Sequence, residues 1–167
     1  MAHPRTRGIG EPDWQAVAHS VRTALAAVVS ILVARALRLP EYYWAPITTL
    51  VVMQSTLGAA LTVSGERIVG TALGAVAGAL LAPRFGSSVV IFGAGVLVLG
   101  LICSLLRIGR SAYRFSGITL AIVMLIMRGQ RAWLVATHRF VEVSIGVAVG
   151  LALTALWPER ESNDARS

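Results

Sequence analysis

The sequence contains no lysine, and all 15 of its basic residues are arginine. That absence removes Schiff-base chemistry at a lysine and the lysine of a GxxxxGK[ST] phosphate loop, so these residues do not encode an ATP-driven motor. There is one cysteine, Cys103, so no disulfide can form within the chain, and its apolar neighbours mark an inert thiol. The three histidines, His3, His19 and His138, show neither HxxxH nor HExxH spacing, and no second cysteine exists to complete a zinc site. No metal and no cofactor are expected. A Ser-His-Asp grouping, a paired carboxylate site and a cofactor fingerprint are also missing, which argues against an enzyme.

Charge of either sign is scarce, at 14% of the chain against 56% hydrophobic residues. With a mean hydropathy of +0.72, the chain is more apolar than a soluble domain of 167 residues can conceal. The composition describes an all-α integral membrane protein. The net charge of +7 comes from arginines scattered between apolar runs, not gathered on one face. They read as membrane-boundary charges, and nucleic acid is not an expected partner.

A helix needs about 20 residues to cross a bilayer. On that measure the apolar runs divide into a bundle of about six transmembrane helices, some short. They are Val17 to Leu39, Tyr42 to Ser64, Arg67 to Ala82, Ser87 to Leu106, Tyr113 to Met127 and His138 to Trp157. The second and fourth stand on length alone. The first carries Arg22 and Arg35 near its ends, where long side chains snorkel to the interface. The resulting division is an N-terminal segment (1–16), a transmembrane domain (17–158) and a polar tail (159–167). The segment "EPDWQAVAHSVR" reads as a short interfacial helix with Glu11 and Asp13 at its positive start. Tyr42, Tyr43, Trp44, Trp133 and Trp157 read as aromatic belts. Counting arginines on either side of six spans places both termini in the cytoplasm, with Arg107, Arg110 and Arg114 as the strongest loop signal.

Inside a bilayer, helices associate closely through small residues. Gly70, Gly74 and Gly78 share one helical face, and Gly146 with Gly150 make a second; both are read as packing seams. Glu66 and Arg67 stand where the chain re-enters the membrane, with Ser64 as a candidate N-cap. Arg67 is either a headgroup anchor or a cavity-facing cation that meets an anion, with Glu66 balancing it when empty.

The second span is uncharged yet holds Thr48, Thr49, Gln54, Ser55 and Thr56 between Pro46 and Gly58. Hydroxyls that bond back to their own helix account for any one of these, whereas the group suits an interrupted helix lining a pore. The sixth span opens with "THRFVE". His138 and Glu142 lie one turn apart, as do Arg139 and Glu142, so the carboxylate belongs either to a structural salt bridge or to a proton-coupling pair.

"YYWAPITTLVVMQSTLGAAL" followed by "GERIVGTALGAVAG" resembles the membrane half of the fusaric acid resistance and aromatic acid exporter family, the FUSC-like proteins. The match rests on Tyr43, Trp44 and Pro46, then on Arg67, Gly70, Thr71 and Gly74, and on the glycine-rich helix closing in Trp157 and Pro158. It covers Val17 to Pro158. The resemblance implies a multi-pass inner-membrane protein that exports aromatic or other organic acid anions. More distantly the chain resembles the plant aluminium-activated malate channels, which keeps an anion channel open as an alternative, beside a non-transporting scaffold or accessory subunit. Larger family members carry two membrane halves and a soluble domain. A single half implies a homodimer or higher homo-oligomer in the lipid bilayer.

Overall fold

The computed structural model describes residues 14–54, 56–126 and 131–157. They form an all-helical membrane protein. Its helices are α1 (Trp14–Ala36), α2 (Trp44–Val52), α3 (Leu57–Phe85), α4 (Val89–Leu105), α5 (Arg110–Ala121) and α6 (Ala132–Leu156). α5 continues as a π-helical turn over Ile122–Ile126. Three of them, α1, α3 and α6, are long and apolar enough to cross a bilayer; α4 is apolar and shorter.

Six helical segments match the expected number, but their boundaries differ where polar residues interrupt the apolar runs. The expected span from Tyr42 to Ser64 is not one helix. The chain leaves helical geometry at Met53 (φ −60°, ψ 112°) and re-enters after Thr56 (φ −117°, ψ 148°), whose hydroxyl accepts a hydrogen bond from the Ala59 amide at 3.3 Å. Thr56 is therefore the N-cap of α3, in the role expected of Ser64, which lies buried two turns inside the helix. As a result α3 begins ten residues before Arg67 and is the longest helix of the fold. The described part of the interfacial helix expected around Trp14 is instead the first two turns and more of α1, and Glu11 and Asp13 lie outside the described residues.

A break inside an apolar run exposes backbone groups that lipid cannot satisfy. Arg22 supplies the partners. It is buried on α1, donating from Nη1 to the Trp157 carbonyl at 2.6 Å and from Nη2 to the Gln54 carbonyl at 2.9 Å. One guanidinium thus caps both the end of α2 and the end of α6, and it joins the amino-terminal part of α1 to the carboxy-terminal end of α6. This corrects the snorkelling role expected of Arg22.

α1 and α4 stop in the same way. After α1, the Leu39 amide bonds the Ala34 carbonyl and the Arg38 amide bonds that of Arg35; after α4, Ile108 bonds Cys103 and Arg107 bonds Ser104. These are Schellman closures. Arg38 and Arg107 both take φ +54°, a left-handed conformation normally left to glycine.

The two glycine faces are filled within the chain. A methyl group at Gly70 would strike the Ala112 carbonyl and Phe115, one at Gly74 the Ser116 carbonyl and Thr119, and one at Gly78 the side chain of Val123. Residue numbers rise together, so α5 runs parallel to α3 with backbones almost touching. Gly146 meets the Ala45 carbonyl and Thr48, and Gly150 meets Val52, so α2 lies parallel to α6 in the same manner. Between these pairs α3 and α6 run antiparallel: Ala75 and Ala79 pack with Val135 and Ala136, whereas Ile68 packs among Val143 and Val147.

Candidate functional site

The middle of α3, the amino-terminal ends of α2 and α5, and the amino-terminal third of α6 converge on a group of buried charges. Arg67 is buried at 6% exposure, far from either end of α3. Its Nε and Nη2 donate to the Thr48 hydroxyl at 3.3 and 3.0 Å, and its guanidinium lies 4.5 Å from the centre of the Phe115 ring. Arg67 therefore does not stand at a helix mouth. Thr48 and Phe115 hold it inside the bundle, on helices that no local sequence signal connects to it.

Arg139, at 1% exposure, lies 3.8 Å above the Trp44 ring, and Trp44 in turn donates its indole N–H to Glu41 at 3.0 Å. A guanidinium on an indole face gains cation–π attraction that strengthens as water is excluded. Glu142, at 0% exposure, stands 3.6 Å from Arg139. That separation is an ion pair but too long for a hydrogen bond. Among the described residues, both Glu142 carboxylate oxygens and Nε and Nη1 of Arg139 accordingly have no side-chain hydrogen-bond partner, and neither does the buried Ser64 hydroxyl one turn before Arg67. Two buried guanidinium groups, those of Arg67 and Arg139, face one fully buried carboxylate, that of Glu142. Among the buried groups positive charge is in surplus and its hydrogen-bonding capacity is only partly used, while the half-buried Glu41 carboxylate stands close enough to act on Arg139 from the side of Trp44.

Of the residues singled out from sequence, the structure brings Arg67, Thr48 and Glu142 into this centre. Thr49 lies one residue on from Thr48, where its hydroxyl bonds the Ala45 carbonyl at 3.0 Å and the Gly146 carbonyl at 3.1 Å, tying α2 to α6. Gln54 bonds back to the Val51 carbonyl at 3.2 Å and Thr56 caps α3; both serve the helix break. Ser55 lies outside the described residues. Glu66 is not the partner of Arg67: its carboxylate lies over the Cα of Gly109, at the amino end of α5, where negative charge is favoured. His138 is only half-buried, and Glu142 pairs with Arg139. Sequence reasoning treated Arg139 only as a salt-bridge partner and Trp44 as a headgroup belt. It did not reach Phe115, whose part depends on α5 docking against the Gly70 face.

The sequence profile of the fusaric acid resistance protein-like family matches residues 23–153. A relative, "Inner membrane protein YeeA" of Escherichia coli (strain K12), is 29% identical over 149 residues, which is 86% of this chain and 42% of the relative. The chain thus spans less than half the length of that protein. No solved structure matches. The matched segment runs from the first turns of α1 to the last turn of α6 and contains Arg67, Arg139 and Glu142, and on that match the chain belongs to the fusaric acid resistance protein-like family.

Proposed function

We propose that the protein is an inner-membrane exporter of organic acid anions, aromatic carboxylates among them, and that the anion binds between Arg67 and Arg139. The observation that carries this reading is the buried charge imbalance. An uncompensated arginine inside a membrane is costly, about 2.5 to 3.5 kcal/mol on insertion scales, and such residues are kept where they meet a partner. A carboxylate fits the shortfall, since a guanidinium offers it two parallel donors. The Trp44 and Phe115 rings flank the two guanidinium groups and offer an apolar surface to an aromatic acid. Support also comes from the family's description, which names resistance to an organic acid, and from the inner-membrane location in the relative's name. In this reading both termini face the cytoplasm and the protein works as a homo-oligomer.

Equilibrium binding of radiolabelled benzoate to the purified protein in lipid nanodiscs tests the site. Saturable binding that benzoate displaces and benzyl alcohol does not, and that Arg67→Gln weakens at least tenfold, supports the proposal. Absence of saturable binding, or equal binding by the variant, refutes it.

A further inference from the structure

The two glycine-packed helix pairs follow one contact rule. Two glycines of each of α3 and α6 face the carbonyl of one residue on the partner helix and the side chain three residues later: Gly70 on Ala112 and Phe115, Gly74 on Ser116 and Thr119, Gly146 on Ala45 and Thr48, Gly150 on Thr49 and Val52. Along α2 and α5 these positions correspond at a constant separation. Along α3 and α6 the sequence repeats with them: Glu66, Gly70, Ala72, Gly74, Ala79 and Leu80 recur in register as Glu142, Gly146, Ala148, Gly150, Ala155 and Leu156.

Other parts obey the same correspondence. Both first helices, α1 and α4, end in a Schellman closure with a left-handed arginine, at Arg38 and Arg107. Glu66 sits at the amino end of α5, and Glu142, through Arg139 and Trp44, at the amino end of α2. Both clasping helices lose α-helical geometry at their carboxy ends, α2 at Met53 and α5 in the π-helical turn from Ile122. Because α3 and α6 are antiparallel, the two halves are related by rotation about an axis across the bundle, which is the signature of an inverted repeat. The halves differ at the charges that matter. The counterpart of Arg67 is Val143 and that of Arg139 is Val63, so the two arginines depart from the repeat where it converges.

We propose that the chain is an inverted repeat of two three-helix units, α1–α3 and α4–α6, whose clasps, α2 on α6 and α5 on α3, are paired gates on either side of the Arg67–Arg139 centre, so that the protein works as an alternating-access carrier and not as an open channel. This rests on the anion-transport reading above. Each clasp helix is a short segment bounded by non-α-helical backbone, which lets it move as a unit while α3 and α6 stay in place. Thr48 on one gate and Phe115 on the other both touch Arg67, so an anion that changes the Arg67 contacts acts on both gates at once.

Disulfide locking tests this. In a Cys103→Ser background, Val52→Cys with Gly150→Cys places the two Cβ atoms 3.5 Å apart, at the short end of disulfide geometry; Gly74→Cys with Thr119→Cys starts at 2.9 Å and requires α5 to move back from α3 at the Ser116 carbonyl. Benzoate flux is measured in proteoliposomes, oxidised and after reduction. The expected result is that either link alone lowers flux at least tenfold and that reduction restores it. Flux unaffected by either link overturns the carrier assignment, as for a fixed pore. If a reduced double-cysteine protein is itself inactive, hydrogen–deuterium exchange of the wild type decides: benzoate should change exchange in both α2 and α5, and a change confined to one of them overturns the pairing. Absent wild-type flux would remove the anion-transport reading and this one with it, whereas wild-type flux that neither link stops removes this one alone.

Discussion

Arg67 and Arg139 are supported in different ways, and the difference predicts different responses to substitution. Arg67 leans on a hydroxyl and an aromatic ring, neither of which becomes an unpaired charge when it is removed. Arg139 faces Glu142 and is its ion-pair partner among the described residues. Breaking one side of a buried pair costs about 3 to 5 kcal/mol, because the survivor is left charged and buried. Arg139→Gln should therefore lower the midpoint of thermal unfolding in detergent sharply, and adding Glu142→Gln should recover most of the loss. A double variant no more stable than the single one would show that the pair is not electrostatically coupled. These roles were only partly legible in the sequence. The intervals within "THRFVE" placed Arg139 near Glu142, but Arg67 was assigned to a boundary because Ser64, Gly65 and Glu66 imitate a helix start. Its true position depends on Thr56 capping the helix two turns earlier.

At the scale of helices, close approach is concentrated on one side of α3. A leucine at Gly74 would have to enter the space of the Ser116 carbonyl and Thr119, whereas a side chain at Gly65, on the exposed side, meets nothing within 4 Å. Gly74→Leu should consequently destabilise the fold by several kcal/mol through overpacking, while Gly65→Ala should be neutral or stabilising by up to about 1 kcal/mol from helix propensity. Unfolding midpoints for the two variants check the contrast, and equal effects would contradict the α3–α5 packing. The glycine spacing announced two packing faces but not their partners, since spacing along one helix says nothing about which neighbour it meets. The break between α2 and α3 was hinted at by Gln54, Ser55 and Thr56, yet an uncharged run from Tyr42 to Ser64 outweighed them. What holds the break open is Arg22, on a different helix and 32 residues from Gln54.

For the whole molecule, composition alone gave the class, an all-helical membrane protein, because so much apolar surface has no other solvent. The proposed orientation rests on the arginine bias together with one contact: Arg22 brings the amino-terminal part of α1 and the end of α6 to the same side of the bundle. Reporter fusions at Ser111 and at the C-terminus should both read cytoplasm, and an external signal from either would contradict the proposed orientation. If the buried arginines carry organic anions, benzoate efflux from proteoliposomes under an inside-negative potential reports it directly. Wild-type protein should release benzoate well above protein-free vesicles, Arg67→Lys should be slower because it keeps the charge but loses the two-pronged contact, and Arg67→Gln should fall to background while remaining folded. Wild-type vesicles that release benzoate no faster than protein-free ones, or an Arg67→Gln protein that matches the wild type, would contradict it.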